Sequence, residues 1–355
     1  MRISRTSVAL GAIAAVLIGA GLPALGQDRP ESILPPGFGD PVTAPAPAPA
    51  PTGARPAPSA SGTPAGPGGA TATPSASETP EVGATPTVDP AALARYQMPD
   101  YARRSLALVG PVGSAEGGLQ PNAFGREDGR YLETLMRRLD TPIASRWLSI
   151  ALRRALLSRL ATPRQVNGAD FAAERAWLLL RMGEAQAARG VVQYIDADNY
   201  TPKLYEIAMQ TALANGDPSA LCSAADGGAA LGRERGWLLA QAMCAGLAGQ
   251  PTKAQALIKS ARDTNVAGGI DLLLAQKLAG SGAKGAQAVT IEWQSVDRLT
   301  AWRYGLAMAT GAEIPDALFA TVSPNVQSWR ALSPMLTARA RASAAEQAAV
   351  RGVFS

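Results

Sequence analysis

Seven arginines lie between residues 137 and 164: Arg137, Arg138, Arg146, Arg153, Arg154, Arg159 and Arg164. A guanidinium group is a rigid fork of N–H donors matched to carboxylates and phosphates, so this stretch can bind anions. Arg137, Arg138, Arg146, Arg153 and Arg154 form the candidate anion-binding face. Residues 146, 153 and 154 are about two helical turns apart and can share one side of a helix. A plainer role competes with this one, because a terminal helical element needs charged groups to wet its outer surface. Other chemistry is short of parts. The chain has no histidine and only two cysteines, Cys222 and Cys244. Histidine is the commonest general base and the commonest metal ligand, and two cysteines alone do not build a zinc site. No metal, cofactor or catalytic residue is expected. In an oxidising compartment the two cysteines pair as a structural disulfide.

Two short motifs overlap near residue 281. "SGAK", Ser281 to Lys284, has the Ser-x-x-Lys spacing in which a lysine activates a serine nucleophile. Its companion motifs, Ser-Asp-Asn and Lys-Thr-Gly, are missing. "GSGAKG", Gly280 to Gly285, has the Gly-x-Gly-x-x-Gly spacing of a phosphate cradle, but it follows a helical pattern rather than a strand. Neither motif has the context its chemistry needs.

The first 26 residues read as a signal peptide. Arg2 and Arg5 precede an apolar run from Val8 to Leu22, and Ala24-Leu25-Gly26 places small residues before a cleavage point at Gln27. The run is shorter than the roughly 20 residues a membrane span requires. The chain is therefore expected in the periplasm or outside the cell. Residues 27–99 have the composition of a disordered tether, dense in Pro, Ala and Thr and poor in large apolar side chains. Within it Ile33, Leu34 and Phe38 stand together as a candidate docking motif. Residues 100–127 are apolar but broken by Gly and Pro, and read as an irregular arm. Charge is uneven. Residues 27–100 carry −4, residues 101–164 carry +6, and the whole chain carries +5.

From residue 128 to 355 the apolar period is that of helices. Leu132, Leu135, Met136 and Leu139 share one stripe, and Trp147, Ile150, Ala151, Leu156, Leu157 and Leu160 form most of a second. Gly183, Gly216, Gly249 and Gly282 then recur every 33 residues, and Gly311 marks a looser fifth copy. Each follows an apolar helical run, such as "AERAWLLLRMG" or "GWLLAQAMCAGLAG". Alanines follow within four to six residues at 187 and 188, 220, 254, and 286 and 288. Glycine closes a helix in the left-handed conformation, and alanine lets a returning helix pack closely. One helical hairpin per 33 residues predicts an all-α fold, a right-handed α-solenoid.

"AWLLLRMGEAQAAR" and "AMCAGLAGQPTKAQAL" resemble the turn of the tetratricopeptide family, with glycine between helices and alanine about five positions on. The resemblance covers roughly residues 170–320. The early aromatic is out of register, with Tyr205 and Trp237 coming close, and the proline that ends the second helix is missing. The whole chain also resembles exported bacterial proteins with a Pro/Ala tether before helical repeats, some of them labelled antifreeze. Here "ATATP" and "GATPT" lack the strict triplets of ice-binding glycoproteins. The resemblance implies a non-enzymatic binding or scaffold protein of the cell envelope that recognises a protein or peptide through its helical surface. The alternative is an accessory protein of peptidoglycan or anionic lipid that uses the arginine face. No nucleic-acid partner is expected.

Overall fold

The computed structural model describes residues 98–231, 235–282, 289–333 and 335–353. Residues 1–97, with Ile33, Leu34 and Phe38, lie outside the described residues, as do Lys284, Ala286 and Ala288. The chain divides into two units. Of residues 42–103, the described part is 98–103, a single 3₁₀ turn at Asp100–Ala102 closed by an Arg103–Asp100 ion pair of 3.2 Å. All thirteen α-helices among the described residues belong to the other unit.

In chain order a short strand, β1 (Leu108–Val109), precedes α1 (Gly129–Arg138) and α2 (Arg146–Leu157). Strand β2 (Leu160–Ala161) follows and pairs antiparallel with β1. Next come α3 (Gly168–Arg181), α4 (Ala185–Gln193), α5 (Pro202–Ala214), α6 (Ala225–Ala230), α7 (Arg235–Leu247) and α8 (Pro251–Asp263). The series ends with α9 (Gly269–Ser281), α10 (Ala301–Thr310), α11 (Asp316–Phe319), α12 (Pro324–Trp329) and α13 (Ala338–Val350). Helix starts follow capping chemistry. A side-chain oxygen of Asp128, Ser145, Asn167, Thr201, Thr300 or Thr337 accepts an otherwise orphaned backbone N–H in the first turn.

Helix α3 is the centre. From Gly168 to Leu180 every residue except Asp170 is buried, as expected of a helix that is packed on all sides. Helices α1, α2, α4 and α5 and strand β1 all pack against it. Later helices join through recurring side-chain contacts. Thr201 donates to Asp170 at 2.5 Å, and Asn215 donates to the carbonyl of Ala185 at 2.9 Å. Tyr205 meets Trp237 edge-to-face at 5.7 Å, and Arg303 grips Asp271 through two bonds of 2.9 and 3.0 Å. These four contacts span between 30 and 32 residues.

The turn glycines divide by physical reason. Gly183, Gly216, Gly249 and Gly311 have φ of +89°, +62°, +72° and +66°, the left-handed region in which a side chain strains the backbone. Gly282 does not share it. Its φ is −86°, and it is small because a Cβ there would lie 2.9 Å from the Cα of Leu247. Gly246 answers the same need, since its Cβ would fall 2.7 Å from the Cα of Ala279. Helices α7 and α9 therefore touch nearly backbone to backbone. The returning helix is present after Gly183, Gly216 and Gly249 as α4, α6 and α8, but residues 289–300 hold no helix.

An open solenoid confines contacts to neighbouring repeats. Here α10 packs on α5, where a Cβ on Gly305 would lie 2.6 Å from the Cα of Leu213 and one on Gly216 would lie 3.0 Å from Met308 Cβ. Asn325 on α12 donates to the carbonyl of Arg181, 144 residues earlier. Gly352 lies against Arg146 and Ser149. The last helices thus return to the first.

Cys222, just before α6, and Cys244, on α7, form a disulfide across a separation of 22 residues. Closing a loop of that length constrains the unfolded chain by about 3 kcal/mol. The double substitution Cys222→Ser, Cys244→Ser should lower the unfolding free energy by about that amount in urea. An unchanged transition midpoint would show that α6 and α7 are held without the bond.

Candidate functional site

The arginine-rich helices are held from beneath by two other arginines, both on α3. Arg175 is fully buried and has no acidic partner among the described residues. Its guanidinium donates to Leu156 O at 2.8 Å and Ser158 O at 2.5 Å, the last turn of α2, and to Val109 O of β1 at 2.9 Å. Arg181 donates to Arg137 O at 3.0 Å, Met136 O at 2.9 Å and Leu139 O at 2.7 Å, the last turn of α1. The final carbonyls of a helix have no partner within it and form the negative end of its dipole. Each α3 guanidinium meets that need for one helix. Burial lowers the Arg175 pKa to about 10, still well above neutrality, so the group stays charged.

The five arginines expected to share an anion-binding face divide into two sets. Arg137 turns inward, pairing with Glu174 at 2.7 Å and Glu133 at 3.1 Å, and Lys203 joins the same two carboxylates. Arg153 pairs with the buried Glu184 at 2.9 Å. Glu174 and Glu184 are each only 3% exposed, so both carboxylates belong to the core and draw these cations toward it. Arg138, Arg146 and Arg154 are exposed, and their side chains make no ion pair among the described residues. Arg153 and Arg154 are neighbours in sequence with opposite fates, because successive helical residues point about 100° apart.

The apolar stripes divide as well. Met136 and Leu156 are buried, and Leu132 and Leu157 partly so. Leu135 and Trp147, members of the same stripes, are 51% and 78% exposed. Tyr131 and Leu148 are also outside, at 60% and 58%. The reason is width. Helices α1 and α2 pack through few residues, and only two of each are buried. A wider apolar stripe than that contact must face outward. The exposed residues repeat a pattern: Tyr131, Leu135 and Arg138 on α1 match Trp147, Ala151 and Arg154 on α2. In each, an aromatic is followed after four residues by an aliphatic and after three more by an arginine. Leu148 and Arg146 flank Trp147 in the first turn of α2. A cation there opposes the helix dipole, so Arg146 is not placed for helix stability.

Beside α2 lies an open cavity of about 170 Å³, with Val112, Ile150 and Leu157 as apolar wall and Glu116 and Arg154 among its polar groups. Among the described residues no group of histidine, cysteine and carboxylate side chains is arranged to hold a metal ion. No helix among them is long and apolar enough to cross a membrane. No protein-family model matches the chain, and no curated protein or solved structure matches it.

The anchoring role of Arg175 is testable by truncation. Arg175→Met leaves the carbonyls of Leu156, Ser158 and Val109 buried without donors, at about 1–3 kcal/mol each. Urea unfolding should show a loss of at least about 3 kcal/mol, while Arg154→Gln on the surface should stay within about 0.5 kcal/mol of the parent. Equal, small effects would mean that α2 is held by its apolar contacts alone.

Proposed function

We propose that this chain is an exported, non-enzymatic binding protein of the bacterial cell envelope. Its helical domain is a tetratricopeptide-like series of hairpins with a period near 33 residues, carried on a Pro/Ala-rich tether. What supports the repeat is the set of contacts between successive hairpins at separations of 30 to 32 residues, together with the left-handed turn glycines Gly183, Gly216 and Gly249 at intervals of 33. What supports export is the leader-like N-terminus and the Cys222–Cys244 bond, a linkage that persists in oxidising compartments.

The observation that carries the binding role is the outward face of α1 and α2. Exposed apolar side chains scattered singly are ordinary on a protein surface. Here Tyr131, Leu135, Trp147 and Leu148 are concentrated on two consecutive helices beside three unpaired arginines. Buried charges elsewhere have structural duties: Glu174, Glu184 and Asp271 are in ion pairs, and Arg175 serves backbone carbonyls. A binding role for the α1–α2 face therefore fits better than a catalytic one.

The test is comparative capture. Protein purified from its own host is cross-linked in envelope extract beside a Trp147→Ala, Leu148→Ala, Arg154→Glu variant. The parent should retain an envelope component that the variant loses. Identical recovery by both would move the binding surface away from α1 and α2.

A further inference from the structure

We infer that the partner of the α1–α2 face is the surface of an anionic lipid bilayer. This rests on the binding role proposed for that face and names its ligand. The argument is one of chemistry matched to depth. A bilayer surface presents phosphates over an apolar layer, and a protein docking there needs cations to meet the first and aromatic or aliphatic groups to enter the second. Tryptophan and tyrosine suit that boundary, having an apolar body and a polar tip, and arginine can keep its head at the phosphate level while its stem lies against apolar groups.

The exposed sides of α1 and α2 each have this composition. Trp147 and Leu148 project from the first turn of α2 with Arg146 beside them, and Arg154 lies two turns along the same stripe as Trp147. Tyr131, Leu135 and Arg138 repeat the order on α1. Charge reinforces the match. Residues 101–164 hold eleven basic and five acidic side chains. Two of those acids are already engaged, Asp128 capping α1 and Glu133 paired with Arg137 and Lys203. Arg138, Arg146 and Arg154 are exposed and make no ion pair among the described residues. No comparable group of exposed aromatics and free arginines occurs elsewhere among the described residues.

The experiment is co-sedimentation of the protein purified from its host with two sets of vesicles. One set is phosphatidylcholine alone, the other phosphatidylcholine with phosphatidylglycerol. Binding should require phosphatidylglycerol, weaken as salt is raised, and survive millimolar inorganic phosphate. Each arginine near an anionic surface is worth about fivefold in affinity. Arg138→Glu, Arg146→Glu and Arg154→Glu together should therefore weaken binding by about a hundredfold or more. Trp147→Ala with Leu148→Ala should weaken it about tenfold or more at unchanged charge. These side chains are exposed, so the variants should keep the parent's melting temperature, which circular dichroism checks. Absence of vesicle binding, or equal binding by parent and variants, overturns the lipid assignment. So does competition by inorganic phosphate, which would mark a soluble anion as the ligand. If vesicles fail while the capture experiment yields a protein that depends on Trp147, the lipid inference falls and the binding face stands. Cross-linking of this face to residues 31–41 of the same chain would identify an internal clasp instead and also overturn it.

Discussion

A cation buried without an acid is costly unless its donors are met, and Arg175 meets them entirely with backbone carbonyls. One guanidinium joins the end of α2, the residue after it and the β1 strand of the arm. Arg181, six residues later on the same helix, does the same for the end of α1. The first two helices have few buried residues of their own, so their position depends on α3. With their C-termini fixed, each is free to turn a broad outer face away from the core. That constraint links the centre of the fold to the surface where binding is proposed.

Electrostatics then sorts the remaining arginines. Those that reach the core find a buried carboxylate: Arg137 with Glu174, Arg153 with Glu184. Ion pairs of this kind contribute little net stability, because desolvation offsets attraction, but breaking one strands a buried charge. They therefore fix which face of each helix looks inward. Arg138, Arg146 and Arg154 are what remains outside, and Tyr131, Leu135, Trp147 and Leu148 share that exposure. Further along the chain the same economy of space operates through small residues, with Gly246, Ala279 and Gly282 letting α7 and α9 approach within backbone contact.

Much of this was legible in the residues. Helical periodicity beyond residue 128 and four of the five glycine turns follow from local backbone chemistry, and the cysteine pair follows from there being only two cysteines in the chain. Gly282 was misread, since a glycine needed for close approach looks the same in sequence as one needed for a left-handed turn. The return of α10 onto α5 and of α12 onto the end of α3 was invisible, because contacts such as Asn325 with Arg181 leave no periodic trace. At the site, the arginines were found but not their division. Only the positions of Glu174 and Glu184 in space decide that Arg137 and Arg153 turn inward. Leu135 and Trp147 lie on the helical stripes that the spacing marks, yet they are 51% and 78% exposed, because spacing does not report how wide a contact the neighbouring helix offers.

Hydrogen exchange on the protein purified from its host, with and without membranes from that host, tests the central claim most directly. If the α1–α2 face is the binding surface, amides in residues 129–157 gain protection when membranes are added, and those of α7 to α10 stay as they were. Protection confined to residues 235–310 would contradict the account and place the partner on the later hairpins.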